Sequence, residues 1–322
     1  MKKENKPMAE IMTMGEIIVE IMRGEVDSPL DKAGIFKGPY PSGAPAIFID
    51  TVARLGHKAA IVGGVGDDDF GTCLIDRLEG DGVDCSAVVK NDRISTGCAF
   101  VTYFANGDRK FIFHIGNTPA VLAPSPAEEK LEGLKFFHIM GCSMMAELSF
   151  GRRIVETMKA AKAKGAKVSF DPNIRPELMK DPECLDLVND VLDNTSVFMP
   201  GKSELRMLSG KEDIEEAVQE LFATKPLLEL IVLKNGKKGC IIYSRDERIE
   251  FGVYAIEPVD ATGAGDSFDG AFLCGLLEGK SLLDAAKLAT AAASLNTGAF
   301  GPMEGKISPE NCQKLIDDNI ME

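Results

Sequence analysis

The chain has 322 residues, 45% of them apolar and 27% charged, a globular composition long enough for one large α/β domain or two small ones. Its formal net charge of −14 argues against nucleic acid or an anionic membrane surface as a partner, although a nucleotide site would still need a local basic patch. No run of about 18 apolar residues occurs, so no membrane span is expected, and the polar start Met1-Lys2-Lys3-Glu4-Asn5-Lys6-Pro7 lacks a signal-peptide core.

Residues 8–22 are apolar and partly alternating, which predicts a first strand that continues past Gly15 into a second piece. Residues 23–41 are mixed and rich in Gly and Pro. A helix follows through Phe48, Val52 and Leu55, stopping at Gly56; next come a strand at 59–63, the loop Gly64-Val65-Gly66-Asp67 and another helix. This strand–loop–helix rhythm implies a mostly parallel sheet. It breaks at 94–115, where 96–104 and 110–115 read as two strands joined by the turn Ala105-Asn106-Gly107-Asp108. From 135 onward βα units return, with strands expected at 135–140, 166–171, 195–199, 229–234, 239–244 and 248–255. Helices are expected at 150–164, 183–193, 202–209, 212–224, 263–278, 282–297 and 308–318. The eight cysteines are scattered without a C-x-x-C pair, and most sit in apolar surroundings; they read as reduced core thiols of a cytoplasmic protein.

The stretch Val259-Asp260-Ala261-Thr262-Gly263-Ala264-Gly265-Asp266-Ser267-Phe268 reads as a small-residue loop feeding a buried helix. A helix N-terminus leaves backbone N–H groups unpaired and carries partial positive charge, so it suits an anion, and small residues allow close approach to the backbone. Asp266 falls in the first turn, where an acid is also an ordinary favourable charge. Three more polar loops follow strands, the position where ligands bind in open parallel sheets: Asp171-Pro172-Asn173-Ile174-Arg175, Pro200-Gly201-Lys202-Ser203-Glu204 and Lys234-Asn235-Gly236-Lys237-Lys238-Gly239. Each is also readable as a capped loop or hairpin turn. Gly275–Ser281 looks like a P-loop but is one residue short and lies at a helix end, and Gly64-x-Gly66 lacks the third glycine of a dinucleotide fingerprint.

The string Asp-Ala-Thr-Gly-Ala-Gly-Asp-Ser-Phe resembles the C-terminal signature of the ribokinase-like (PfkB) sugar kinases, and the likeness extends over nearly the whole chain. The resemblance implies one ribokinase-like α/β domain over 1–322, a three-layer sandwich with a mostly parallel central sheet and a small β lid from roughly 17–38 and 94–115. It implies ATP and Mg²⁺, and an anion hole from Gly263, Ala264 and Gly265 beside Asp266 as the base that takes the proton of the substrate hydroxyl. Arg175 is then on the substrate side, with Asp171 and Asn173 near the phosphate or the metal. Glu204 matches the glutamate that organises Mg²⁺ through water, although Gly201 replaces the family's asparagine. Lys234, Gly236, Gly239 and Gly265 fall on the nucleotide side, with Lys202 adding to the basic patch. Asp260 and Thr262 resemble positions that bind K⁺ in some members.

In Ser42-Gly43-Ala44-Pro45-Ala46-Ile47, Gly43 matches a sugar-contacting glycine, whereas Ser42 and Ile47 depart from the pattern. Glu20 stands where many members keep an acid for sugar hydroxyls; a lone Glu at a strand end is otherwise solvated. Where related keto-sugar-acid kinases use an arginine on the second lid strand, the nearest residue here is His114, a weaker carboxylate partner. These features point to a kinase for a neutral sugar, a ketohexose such as tagatose or fructose. Alternatives are a 2-keto-3-deoxygluconate kinase, a nucleoside kinase and a non-catalytic sugar or nucleotide sensor. Lid pairing in the family implies a homodimer.

Overall fold

The computed structural model describes residues 8–106, 109–176, 178–179 and 181–319. The first half of the chain runs β1 (Ile11–Met14), β2 (Ile18–Arg23), β3 (Phe36–Ser42), α1 (Ala44–Arg54), β4 (Ala59–Gly66), α2 (Asp69–Gly80), β5 (Asp84–Asn91), β6 (Cys98–Tyr103) and β7 (Arg109–His114). It continues through β8 (Phe136–Met140), α3 (Cys142–Met145), α4 (Leu148–Ala163), β9 (Lys167–Asp171), α5 (Glu183–Asp193) and β10 (Val197–Phe198). Then come α6 (Lys202–Ser209), α7 (Ile214–Thr224), β11 (Leu230–Lys234), β12 (Cys240–Tyr243), β13 (Arg248–Phe251), α8 (Ala264–Leu277), α9 (Leu282–Thr297) and α10 (Pro309–Asp317). Among the described residues, no helix is long and apolar enough to cross a membrane.

A nine-stranded sheet in the order β13-β12-β11-β10-β9-β8-β1-β4-β5 forms the centre. It is parallel from β5 to β11, and β12 and β13 add an antiparallel edge. Helices cover both faces, so the strands read as nearly continuous apolar runs. The two-residue period divides them between two cores: in β8, Phe136 and Met140 face one core while Phe137 and Ile139 face the other. The first core lies under α1, α8 and α9 and holds Phe48, Phe272 and Ala289; the second lies under α4, α5 and α7 and holds Phe150, Val188 and Leu221. This is the α/β sandwich with a mostly parallel central sheet expected from the sequence.

A second sheet, in the order β3-β2-β6-β7, forms the lid. Its outer pairs are antiparallel and its central pair, β2 with β6, is parallel. The expected hairpin is present as β6 and β7, with turn residues 107 and 108 outside the described residues. Two strands differ from expectation. The early lid segment extends to Ser42 because Phe36–Ser42 forms β3 despite its Gly and two Pro; paired only with β2, it is an edge strand, where a missing N–H is tolerated. β5 is likewise an edge strand, whose mixed polar pattern hides it.

Helix α8 is buried nearly all round, with Phe268, Ala271, Phe272, Leu273 and Cys274 at 6% exposure or less. Gly270 lets it press against α1: a Cβ there would stand 2.6 Å from the Phe48 carbonyl oxygen. This contact sets the N-termini of α1 and α8 side by side at the carboxyl ends of the strands. A Gly270→Ala substitution should therefore destabilise the protein by about 1–3 kcal/mol, read by chemical denaturation. An unchanged midpoint would contradict the close approach.

Candidate active site

A cavity of about 230 Å³ opens between the carboxyl edge of the central sheet and the inner face of the lid. Its polar floor comes from strand ends: Asp171 from β9, Lys234 from β11, and Glu204 from the start of α6 after β10. Gly263, Gly265 and Asp266 enter from the start of α8, and Gly43 from the start of α1. Arg175 and Thr262 also line it, as does Glu20 from β2.

The start of α8 is unlike those of α2, α7, α9 and α10. Asp68, Asp213, Ser281 and Ser308 cap those helices through their side chains. Helix α8 begins at Gly263 in the left-handed region (φ 77°), with no side-chain cap. A Cβ at Gly263 would lie 2.5 Å from the Pro302 carbonyl oxygen, so both conformation and space require glycine. Asn296 Nδ2 donates to the Thr262 carbonyl (2.8 Å) and fixes the loop. The first-turn amides of α8 are thus free of a competing side-chain acceptor and lie beside the cavity.

Asp266 sits in that first turn, and Asn173 Nδ2 donates to its Oδ1 at 3.3 Å. Burial, reinforced by the Asp171 charge and opposed by Lys234 and Arg175, pushes its pKa up to about 7. Lys234 Nζ donates to Asp171 Oδ2 (2.6 Å) and to Asp269 Oδ2 (2.9 Å). Burial alone would favour the neutral amine, but these two acids hold the Lys234 pKa above the usual lysine value. Burial would raise Asp171, yet the Lys234 ammonium keeps it below the ordinary range. Burial first, then the Asp171 charge, lifts Asp269 far above that range against the pull of Lys234.

Glu204 clamps two segments: Oε2 accepts from Gly201 N–H and Oε1 from Ile174 N–H, both at 2.7 Å. The glycine that replaces the family's asparagine therefore supplies a backbone donor to Glu204. Glu20 accepts from Ser42 Oγ at 2.8 Å, while its other carboxyl oxygen is buried with no protein partner. Burial, partly offset by Ser42, raises its pKa to about 7. Asp260 lies behind the cavity. It accepts from Thr262 N–H and Oγ, from Tyr103 OH and from Gly301 N–H, so four donors engage its two oxygens.

His114 does not face the cavity. Alternation along β7 turns Arg109, Phe111 and Phe113 inward and leaves His114 exposed on the other face, against the edge of Phe100. The basic side chain that β7 offers the site is Arg109, whose Nη1 donates to Thr262 Oγ at 3.2 Å. Lys202 is exposed, and Lys202, Gly236 and Gly239 lie outside the cavity lining. A parallel bridge between Gly201 and Lys234 sets these loops beside one another at the sheet edge. Gly239 is required by packing, since a Cβ there would meet the Phe251 carbonyl oxygen at 2.0 Å. Ala264 contributes as the first residue of α8 and is not itself part of the lining.

Several site residues carry no sequence signal of their own. Glu16 is hidden in an apolar run, yet it lines the cavity and accepts from Ser143 Oγ and Cys142 Sγ. Asp269 reads as helix interior. Arg109 requires knowledge of which face of β7 looks inward.

An open parallel sheet, a lid over its carboxyl edge and an uncapped helix start beside an acid are the arrangement expected of a kinase that acts on an alcohol group. A family model described as pfkB family carbohydrate kinase matches residues 8–309. The chain is 32% identical over 319 residues to Fructokinase-1 of Oryza sativa subsp. japonica, covering 95% of this chain and 97% of that protein. It is 34% identical over 280 residues to Fructokinase-2 of Solanum lycopersicum, covering 85% and 84% respectively. An E. coli crystal structure provisionally named Ribokinase II superimposes with a TM-score of 0.91 at 38% identity, covering 97% of this chain and all of that one. The same protein has a structure in complex with ATP and Mg²⁺, with a TM-score of 0.90. The chain belongs to the pfkB family of carbohydrate kinases and is an ATP-dependent sugar kinase.

The electrostatics give a direct check. In the ligand-free protein the Asp266 and Glu20 carboxyls should titrate near pH 7, protonated below and ionised above, as followed by ¹³C NMR. Midpoints near 4 would contradict the burial that the cavity imposes.

Proposed function

We propose that the enzyme transfers the γ-phosphoryl group of ATP to a hydroxyl of a neutral ketohexose, with fructose the first candidate and tagatose next. The carrying observation is the unpartnered, buried oxygen of Glu20 in the cavity wall. It suits a sugar hydroxyl that can donate to it and disfavours a carboxylate there. The fructokinase relatives support the same substrate class.

In this reading Asp266 orients the acceptor hydroxyl and takes its proton. A free alcohol is a weak acid, so the proton moves late and positioning matters more than basicity. The amides at Gly263, Ala264 and Gly265 stabilise negative charge on the transferring group. Arg175 and Gly43 border the sugar, and Lys202, Gly236 and Gly239 flank the nucleotide. Lys234 meets the phosphates through its side chain.

Glu204 fits a water-mediated role toward Mg²⁺, because each of its oxygens takes one N–H and keeps another lone pair. When bound, that ion neutralises phosphate charge. Asp260 does not fit a K⁺ site as it is arranged here: its four protein donors occupy the lone pairs that a cation would need. Outward-facing Ile35, Phe36 and Ile112 are exposed on the lid, the surface through which we propose two copies pair. A monomer by light scattering would remove that part of the proposal.

A second reading has its own support. Arg109 and Arg175 both line the cavity and flank Phe111, each guanidinium 5.9 Å from its ring. Two cations there suit a keto-sugar acid. The test is ATP turnover with Mg²⁺ on fructose, tagatose, 2-keto-3-deoxygluconate and nucleosides. Turnover on a neutral ketose is expected; turnover on the sugar acid alone would transfer the assignment to Arg109 and Arg175, and on a nucleoside alone would refute both. Asp266→Asn should lower kcat by about 10²–10⁴-fold while nucleotide binding is kept. Near-normal turnover would remove Asp266 as the base.

A further inference from the structure

The proposed reaction accounts for Asp266 and Lys234 but not for Asp269, three residues farther into α8. Asp269 is fully buried, which is costly for a carboxyl in a helix interior. One of its oxygens meets Lys234 Nζ, and the other has no partner among the hydrogen bonds and ion pairs of the described residues. The same ammonium is held at 2.6 Å by Asp171 from β9. An ammonium has three N–H donors. Two are taken by these acids, and Nζ borders the cavity only 3.9 Å from where a Cβ of Gly265 would stand. The third donor is therefore available beside the anion-binding turn.

We propose that Asp269 is a positioning residue for phosphoryl transfer: from inside α8 it fixes the Lys234 ammonium against the transferring group, acting as a neutral acid and not as a second counter-ion. This rests on the phosphotransfer reading of the site. The geometry supplies the reason for neutrality. Two ionised carboxylates on one lysine would leave net negative charge under a phosphate, whereas one carboxylate and one acid leave a balanced pair with a free N–H. Two carboxyls this close do not both ionise in a buried setting, and the opposite pKa directions of Asp171 and Asp269 agree. Placing both acids against one amine also removes the rotamer freedom of the lysine, so little is left to order when the phosphate arrives.

The test compares Asp269→Asn, Asp269→Ala, Lys234→Met and the double variant Lys234→Met/Asp269→Ala. Fructose is the acceptor, or else whichever of tagatose and 2-keto-3-deoxygluconate the wild type turns over. Asparagine can accept from Lys234 while carrying no charge, so Asp269→Asn should keep kcat within about threefold. Asp269→Ala should lower kcat by about 30-fold or more with KM for ATP and sugar nearly unchanged, because the interaction matters most in the transition state. Lys234→Met should lose at least as much, and the double variant should be no worse than Lys234→Met, since both act through one ammonium.

Full activity in folded Asp269→Ala, or additive losses in the double variant, would overturn the positioning role. An Asp269→Asn variant as impaired as Asp269→Ala would overturn the neutral-acid form. Wild-type turnover on none of these sugars would count against the substrate assignment alone. Binding of ADP with aluminium fluoride, a mimic of the transferring group, then carries the comparison, with the same ranking of variants expected and a flat ranking overturning the proposal.

Discussion

The ammonium of Lys234 is the constraint on which the site depends. It joins the end of β11 to the end of β9 through Asp171 and to the interior of α8 through Asp269. Those contacts fix α8 against the sheet, and α8 in turn carries Asp266. Breaking a buried pair by removing one partner costs about 3–5 kcal/mol, because a charge is stranded. Position and electrostatics are therefore coupled here: the groups that hold the helix in place also set the charge around its first turn. Carboxyls outnumber cations around the cavity, and the imbalance is relieved by raising Asp266 and Glu20 to about 7; burial also lifts Asp269 well above the ordinary carboxylate range. An acid poised near neutrality suits proton acceptance from an alcohol better than an ordinary aspartate would.

The lid is fastened to the same loop. Tyr103 OH contacts Asp260 and Thr262, and Arg109 reaches Thr262, so β6 and β7 meet the residues immediately before Gly263. At the other end of the lid the buried Arg23 guanidinium donates to the Pro29 and Lys32 carbonyls and lies 4.1 Å from the Phe36 ring centroid. That holds the excursion between β2 and β3. The lid is thus tied to the loop that leads into the first turn of α8, and in the proposed reaction a covered cavity would keep water, a competing acceptor, away from the phosphoryl group.

Local and tertiary features were unequally legible in the sequence. The βα rhythm, the lid hairpin and the Gly-Ala-Gly-Asp turn are readable because each rests on local chemistry: apolar period, turn residues, and a glycine whose positive φ the turn demands. The edge strands β3 and β5 are not, since neither is buried on both sides and neither shows clean alternation. Arg109 and His114 illustrate the harder case. They lie on one strand, and only the register of β7 against β6 decides which looks inward. Asp269 is harder still, because a carboxyl between Phe268 and Gly270 gains meaning only from a lysine 35 residues away. Motif likeness locates the loops around the cavity well and side-chain direction poorly.

The most direct measurement is a crystal structure with ADP, Mg²⁺, aluminium fluoride and the acceptor sugar. The account predicts the fluoroaluminate on the backbone amides of residues 263–265, the Lys234 ammonium in hydrogen-bonding contact with it, and a sugar hydroxyl against Asp266. A fluoroaluminate seated away from the α8 N-terminus, or a sugar whose hydroxyls all avoid Asp266, would contradict it.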